Sequence, residues 1–168
     1  MQPDPLKMAY LAGILDSDGF ISIQRTKKNM RRGAATWLAT YYTARVGIAG
    51  TRRQPHDFAA AIFGGPVRPY EPKNLRHRTQ FQWTVSGRMA VPVLEAVRPY
   101  LLVKAEHADL VLRLQALVQR QFAEIKATTL PPYRIPAEMT AERERLFVAV
   151  CGLNQDRQAD LSGVRRAA

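Results

Sequence analysis

The sequence predicts an α+β fold, an antiparallel sheet with helices on one face. Three observations predict it. Apolar and polar residues alternate at a spacing of two in segments after Phe20, after Trp37 and after Thr79, as in half-buried strands. Segments with helical spacing lie before, between and after them. The resulting order is helix, strand, strand, helix, strand, strand, helix and then further helices, which is neither all-helical nor a βαβ alternation.

Taken in order, Asp4 is placed to cap a first helix and Pro5 suits its first position. From Met8 to Leu15 every side chain is apolar or small, so this helix is expected to be buried all round. Ala9, Ala12, Gly13 and Asp16 recur at i, i+3, i+4 and i+7, a single stripe of minimal side chains. Gly13 in mid-helix costs about 1 kcal/mol against Ala, which a close helix–helix contact would offset. Asp16 and Asp18 follow, with Gly19 supplying a turn. Ile21 and Ile23 then share one strand face, Ser22 and Gln24 the other.

Lys27 to Thr36 is polar and basic, and reads as a mobile hairpin loop whose charges can reach a phosphate backbone. Trp37 to Ala49 is a long strand with Tyr42, Ala44, Val46 and Ile48 on one face. Tyr41, Thr43, Arg45 and Gly47 take the other. Arg53 to Phe63 is a short helix closed by Gly64-Gly65-Pro66, and Val67 to Tyr70 a short strand broken by Pro72 and Asn74. Leu75 to Arg78 is again basic. In Thr79 to Val85, Phe81, Trp83 and Val85 alternate with Gln80, Gln82 and Thr84. Ser86 is placed to cap a helix over Gly87 to Val97, with Met89, Val93, Leu94 and Val97 as its apolar stripe and Pro99 beyond its end. Glu106 to Phe122 is amphipathic, Leu110, Leu114, Leu117 and Val118 inward. Thr128 to Pro136 is a loop and Thr140 to Leu153 a last helix. One domain over 1–155 and a polar, frayed tail over 156–168 are expected.

The chain of 168 residues is long enough for one sizeable core. Its 25 Lys+Arg against 14 Asp+Glu give a formal charge of +11, which points to a polyanionic partner. Arg far outnumbers Lys, and Arg is the better fork for phosphate and guanine. Solubility alone is the plainer explanation of the charge. A membrane surface is disfavoured: no apolar run reaches spanning length and no basic amphipathic helix stands out. Cys151, the single cysteine, excludes an internal disulfide and a cysteine-based zinc site. His56, His77 and His107 show no ligand spacing. With no signal-peptide pattern, an intracellular protein is expected. Its Arg- and Ala-rich composition is that of a GC-rich coding source, which favours the cytoplasm or nucleoid of a prokaryote over an organelle.

The polar face of the predicted sheet carries Ser22, Gln24, Thr26, Tyr41, Thr43, Arg45, Arg68, Tyr70, Gln80, Gln82 and Thr84. Long polar side chains on a twisted antiparallel ribbon suit base edges in a major groove, Arg to guanine and Gln to adenine. Lys27, Lys28, Arg31, Arg32, Arg76 and Arg78 are candidates for the phosphates.

The segment Leu11-Ala12-Gly13-Ile14-Leu15-Asp16-Ser17-Asp18-Gly19 resembles the signature of the LAGLIDADG homing endonucleases, with an aromatic before it and an alternating strand after it. Arg98-Pro99-Tyr100-Leu101 through Lys104 to Leu112 is similar to a later helix junction of that family, and Leu153-Asn154 to the end of its single-motif members. The resemblance implies an αββαββα core with a curved antiparallel sheet facing DNA and additional C-terminal helices. It implies a homodimer joined through the motif helix at Ala9, Ala12, Gly13 and Asp16, reading a near-palindromic duplex of about 20 bp. One motif supplies one catalytic acid, and cutting two strands takes two. By the same resemblance Asp18, with Gly19, would hold Mg²⁺ shared between the subunits, and Lys104 would act beside it. The chain departs from the pattern at the end of the second strand. Many relatives have Gln or Asn there; here it is Gly50, with Arg53 and Gln54 as nearby substitutes. The expected activity is metal-dependent, site-specific double-strand cleavage. An RNA-binding intron maturase and a non-cleaving DNA-binding protein remain as alternatives on the same scaffold.

Overall fold

The computed structural model describes residues 4–72, 78–128 and 134–166, and the side chains of residue 32 and residues 156–166 are outside that description. The elements run α1 (Pro5–Ser17), β1 (Gly19–Arg32), β2 (Ala35–Gly50), α2 (Gln54–Phe63), β3 (Val67–Tyr70), β4 (Gln80–Ser86), α3 (Ala90–Val97), α4 (Ala105–Thr128) and α5 (Ala137–Arg166). Short 3-10 turns, Gly87–Met89 and Arg98–Tyr100, bracket α3. The expected α+β order is the observed one.

The four strands form one antiparallel sheet in the order β1-β2-β4-β3. Ile21, Ile23, Tyr42, Ala44, Val46, Ile48, Trp83 and Val85 form its buried face. They pack against Leu11 and Leu15 of α1, Val93 and Leu94 of α3, and Val111 and Leu114 of α4. Trp83 is fully buried, and its Nε1 donates to Gly64 O at 2.8 Å, so the ring enters the core without an orphaned donor. Gly47 is required by close packing. A Cβ there would lie 2.5 Å from Trp83 O and 2.7 Å from Phe20 Cζ, closer than real atoms approach.

Several expectations need correction. Lys27–Thr36 is not a mobile loop: β1 and β2 pair without interruption to Arg32↔Ala35, and only Gly33 and Ala34 make the turn. Gly33 adopts φ 57°, the left-handed conformation that glycine takes without steric cost. The segment reads as a loop because both its faces are polar, yet backbone pairing needs no apolar face. Helix α1 is not buried all round either. Met8, Leu11, Ala12 and Leu15 are buried, whereas Leu6 is 81% and Tyr10 54% exposed, and Ala9 and Gly13 are open to solvent. Ser86 makes no capping side-chain bond, and Met89 is exposed while Ala90 takes its place in the core. Helix α5 runs from Ala137 to Arg166, past the end expected at Leu153. Asp4 does cap α1, accepting from Leu6 N at 2.9 Å.

The C-terminal helices brace the hairpin. Tyr42 donates its hydroxyl to Glu144 of α5, and Arg25 Nη1 meets the other oxygen of that carboxylate at 2.6 Å. Burial and the Glu144 carboxylate push the Tyr42 phenol up to about 12. Arg143 is buried and donates to Gln121 on α4 at 2.8 Å; burial lowers its guanidinium pKa.

Candidate nucleic-acid interface and acidic turn

The motif ends in a turn held from two sides. Helix α1 runs out at Ser17, and Asp18 is its C-cap, with the Asp18 N–H on Ile14 O at 2.9 Å. Asp16 turns toward the start of α4. Its carboxylate accepts the backbone N–H groups of Leu102, Val103 and Lys104 at 2.8, 3.2 and 2.8 Å. These donors lie in the turn that leads into α4, so Asp16 pins that turn to the end of α1.

Lys104 answers from the other side. Its side chain is 4% exposed, and Nζ donates to the carbonyls of Leu15, Asp16 (3.0 Å) and Gly19 (2.8 Å). An ammonium has three protons to donate, and here it meets two carbonyl oxygens at a helix C-terminus, where positive charge is favoured, and a third at the start of β1. Asp16 and Lys104 thus form a reciprocal clasp between the α1 end and the α4 start. Arg98 adds a third tie, gripping Asp109 through Nε and Nη2 at 2.6 and 2.7 Å, and these bonds hold the Asp109 carboxyl below its ordinary pKa.

Asp18 is left over. It is exposed, and among the described residues its carboxylate has no hydrogen bond or ion pair. An unengaged carboxylate is a hard oxygen donor of the kind Mg²⁺ takes, and such an ion needs only one or two carboxylates when phosphates supply the rest. The donor chemistry therefore fits. Among the described residues no three His, Cys, Asp or Glu side chains cluster, so a single protomer offers a one-carboxylate site. Gly19 is placed differently from its expected metal role. Its carbonyl already holds Lys104 Nζ, and an oxygen bound to an ammonium is a poor ligand for a second cation.

A concavity of about 270 Å³ opens at Asp18, lined among others by Ile14, Ile48, Gly50, Arg52 and His56. Gly50 thus lies beside the acid, as expected from the end of the second strand. Arg53 and Gln54 are not in this lining. Arg53 points to Asp57, with Nε 3.1 Å from Oδ2, and sits over the Phe81 ring at 5.9 Å, while Gln54 is exposed at the start of α2. The structure brings Arg52 and His56 to the acid instead. His56 offered no signal in the sequence beyond a lone histidine.

The outer sheet face gathers most of the predicted readers. Register pairs Ser22 with Arg45, Gln24 with Thr43, Thr26 with Tyr41, Arg68 with Gln82, and Tyr70 with Gln80. Gln24, Arg45, Arg68, Gln82, Thr84 and Ser86 line one concavity of about 330 Å³. Gln24, Arg68, Tyr70, Arg78, Gln80 and Gln82 are exposed; Ser22, Thr26, Thr43, Arg45 and Thr84 are half-buried. Arg45 is steadied over the Phe20 ring at 5.4 Å. Strand alternation puts Lys28 on the Gln24 side and Lys27 and Arg31 on the other, although all three are exposed. Tyr41 departs from the expected set. It donates to Met30 Sδ at 3.6 Å and lines an apolar cavity with Phe122 and Ile125 of α4. Arg76 and the Arg32 side chain lie outside the described residues.

The dimer candidates divide in the same way. Ala12 is fully buried inside the protomer, and Asp16 is committed to α4. Besides Pro5 and Lys7 in its first turn, α1 shows to solvent the stripe Leu6, Ala9, Tyr10, Gly13 and Ser17, at i, i+3, i+4, i+7 and i+11. A Cβ on Gly13 would meet nothing within 4 Å, so packing within the protomer does not explain the glycine. Among the described residues no helix is long and apolar enough to cross a membrane.

No protein-family model matches the sequence, and no curated protein matches it. Solved structures do. The homing endonuclease I-CvuI, in complex with the I-CreI target in the presence of Mg with the DNA not cleaved, is 22% identical with a TM-score of 0.62, over 88% of this chain and 82% of that one. The homing endonuclease I-TnaI is 13% identical with a TM-score of 0.60, over 93% of this chain and 99% of that one. The LAGLIDADG homing endonuclease I-SmaMI, bound to cleaved DNA, is 15% identical with a TM-score of 0.57, over 86% of this chain but 43% of that one. At these identities the likeness is one of fold.

Proposed function

We infer that this chain, which has the fold of the LAGLIDADG homing endonucleases, is a metal-dependent, site-specific DNA endonuclease acting as a homodimer. One observation carries this most: an unengaged, exposed Asp18 sits at the end of an exposed stripe on α1 that has Gly13 at its middle. Pairing two copies of α1 about a two-fold axis brings two such carboxylates together, as cutting both strands requires. Gly13 lets the two backbones approach closely. A divalent ion held by Asp18 would neutralise phosphate charge and activate water. The chain's own residues do the rest. Asp16 and Lys104 fix the turn that presents Asp18. The concave face with Gln24, Arg45, Arg68 and Gln82 supplies forks for guanine and amide pairs for adenine. Lys28, Arg31 and Arg78 are exposed for phosphate contacts that set register. The fold neighbours I-CvuI and I-SmaMI, solved with DNA, support the same assignment. Lys104 acts on this site as a positioning residue, since its ammonium is buried behind the turn.

The test is a supercoiled plasmid library carrying a randomised insert of about 20 bp, one site length for two subunits each following about one helical turn. With Mg²⁺ a minor set of plasmids is expected to become linear, and with EDTA none. Linear product without a divalent ion, or random degradation of every plasmid, contradicts the assignment. Tight binding to RNA in preference to duplex DNA, with no linear product, would favour a maturase on this scaffold.

A further inference from the structure

His56 is 1% exposed, yet one of its ring nitrogens is unaccounted for. Nδ1 lies 2.9 Å from the carbonyl oxygen of Arg52. A carbonyl only accepts, so Nδ1 carries a proton, and in the neutral ring Nε2 is then a bare acceptor. Nε2 has no hydrogen-bond partner among the described residues. A buried acceptor without a donor is costly, and such atoms are rare enough to need a cause.

The position supplies one. His56 shares the concavity of about 270 Å³ with Asp18, room for several waters. The ring edge between the two nitrogens faces Gly50: Cε1 is 3.7 Å from where a Cβ on that residue would stand. Because residue 50 has no side chain, the space between β2 and the imidazole stays open. Phe81 flanks the ring, with centroids 6.3 Å apart, and offers no donor.

We propose that His56 Nε2 accepts a hydrogen bond from a water beside Asp18, and so positions solvent for phosphodiester cleavage. It is a positioning residue, acting through that water rather than on the phosphate. The Arg52 carbonyl fixes the tautomer, and the wall of α2 fixes the ring. The inference rests on the endonuclease assignment above.

Two substitutions separate this role from a structural one. His56→Asn places an amide nitrogen where Nδ1 was, keeping the Arg52 bond and removing the Nε2 acceptor. His56→Gln places an amide where Nε2 was and gives up the Arg52 bond. Both are assayed by single-turnover cleavage of a duplex that wild-type protein binds from a randomised library, with melting temperature read in parallel. His56→Asn is expected to melt near wild type and cleave roughly 10²-fold more slowly, the size of a small misplacement of reacting groups. His56→Gln is expected to cleave within tenfold of wild type even if it melts lower. The opposite pattern, Asn active and Gln inactive, overturns the proposal while wild-type cleavage preserves the endonuclease assignment. Wild-type protein that binds its duplex and never cuts it defeats that assignment, and this proposal with it. A readout free of activity completes the test. In long-range ¹H–¹⁵N spectra of the wild-type protein, His56 is expected as the Nδ1–H tautomer, with the Nε2 resonance moving when duplex and Ca²⁺ are added. An Nε2–H tautomer, or an Nε2 signal indifferent to duplex and metal, overturns it.

Discussion

Replacing Lys104 by Met tests whether its ammonium belongs to the fold or to the solvent. In the structure it is 4% exposed and donates to three carbonyls, those of Leu15, Asp16 and Gly19. Hydrogen bonds from a charged donor contribute roughly 1.5–3 kcal/mol each. Burying an ammonium costs several kcal/mol, which offsets much of that sum. Met fills a similar volume but donates nothing. Two of the carbonyls it strands are at the last turn of α1 and the third, that of Gly19, opens β1, all beside exposed Ser17 and Asp18, so water relieves part of the loss. A net destabilisation of about 3 kcal/mol follows, within the range for breaking a buried charged network. For a domain of this size each kcal/mol lowers the melting temperature by about 2–4 °C, so a fall of roughly 6–12 °C is expected. The assay is calorimetry of the DNA-free protein in EDTA, where no catalytic role can contribute. A shift under about 2 °C refutes the reasoning. It would mean that Nζ lies in solvent, free to meet a phosphate.

Two further outcomes follow from the surfaces. Gly13→Leu should leave the protomer folded, because a Cβ there meets nothing and Leu gains about 1 kcal/mol of helix propensity, so any fall in melting temperature reflects only the lost association. Sedimentation should nonetheless show monomers where wild type shows dimers, and an unshifted dimer would remove α1 from the interface. On the sheet, Arg68→Ala should cost about 1–3 kcal/mol on the selected duplex and relax preference at one position. Lys28→Ala should weaken all sequences alike and lower the salt slope by about one. Binding isotherms between 50 and 200 mM salt distinguish them, and identical behaviour of the two variants argues against base reading by the concave face.

Much of the fold was legible because burial leaves a period. Alternation at Ile21 and Ile23, at Tyr42 to Ile48, and at Phe81 to Val85 placed three strands, and the nonamer placed α1 and its acid. Where burial is not the cause, the period is missing. The basic half of β1 pairs by backbone alone and so read as loop. The outward stripe of α1 read as buried because its composition is that of a core, yet Leu6, Ala9, Tyr10 and Gly13 are exposed on the protomer. The clasp between Asp16 and residues 102–104 joins positions 86–88 apart in the chain, and no local spacing announces it. Lys104 stood out by resemblance, but its backbone partners Leu15, Asp16 and Gly19 lie 85–89 positions away and leave no local signal. His56 shows why a single histidine is silent in a sequence: what distinguishes it is one unpaired nitrogen and a cavity shared with an aspartate 38 positions earlier.

The central claim is that Asp18 is the acid through which a divalent ion serves cleavage. Asp18→Asn keeps the shape of the turn and removes the charge, and it relieves repulsion from the phosphates. Single-turnover cleavage of pre-bound duplex in Mg²⁺, with affinity measured on the same preparation, tests this directly. The expected result is wild-type or tighter binding with cleavage abolished. Cleavage by Asp18→Asn at close to the wild-type rate would contradict the account.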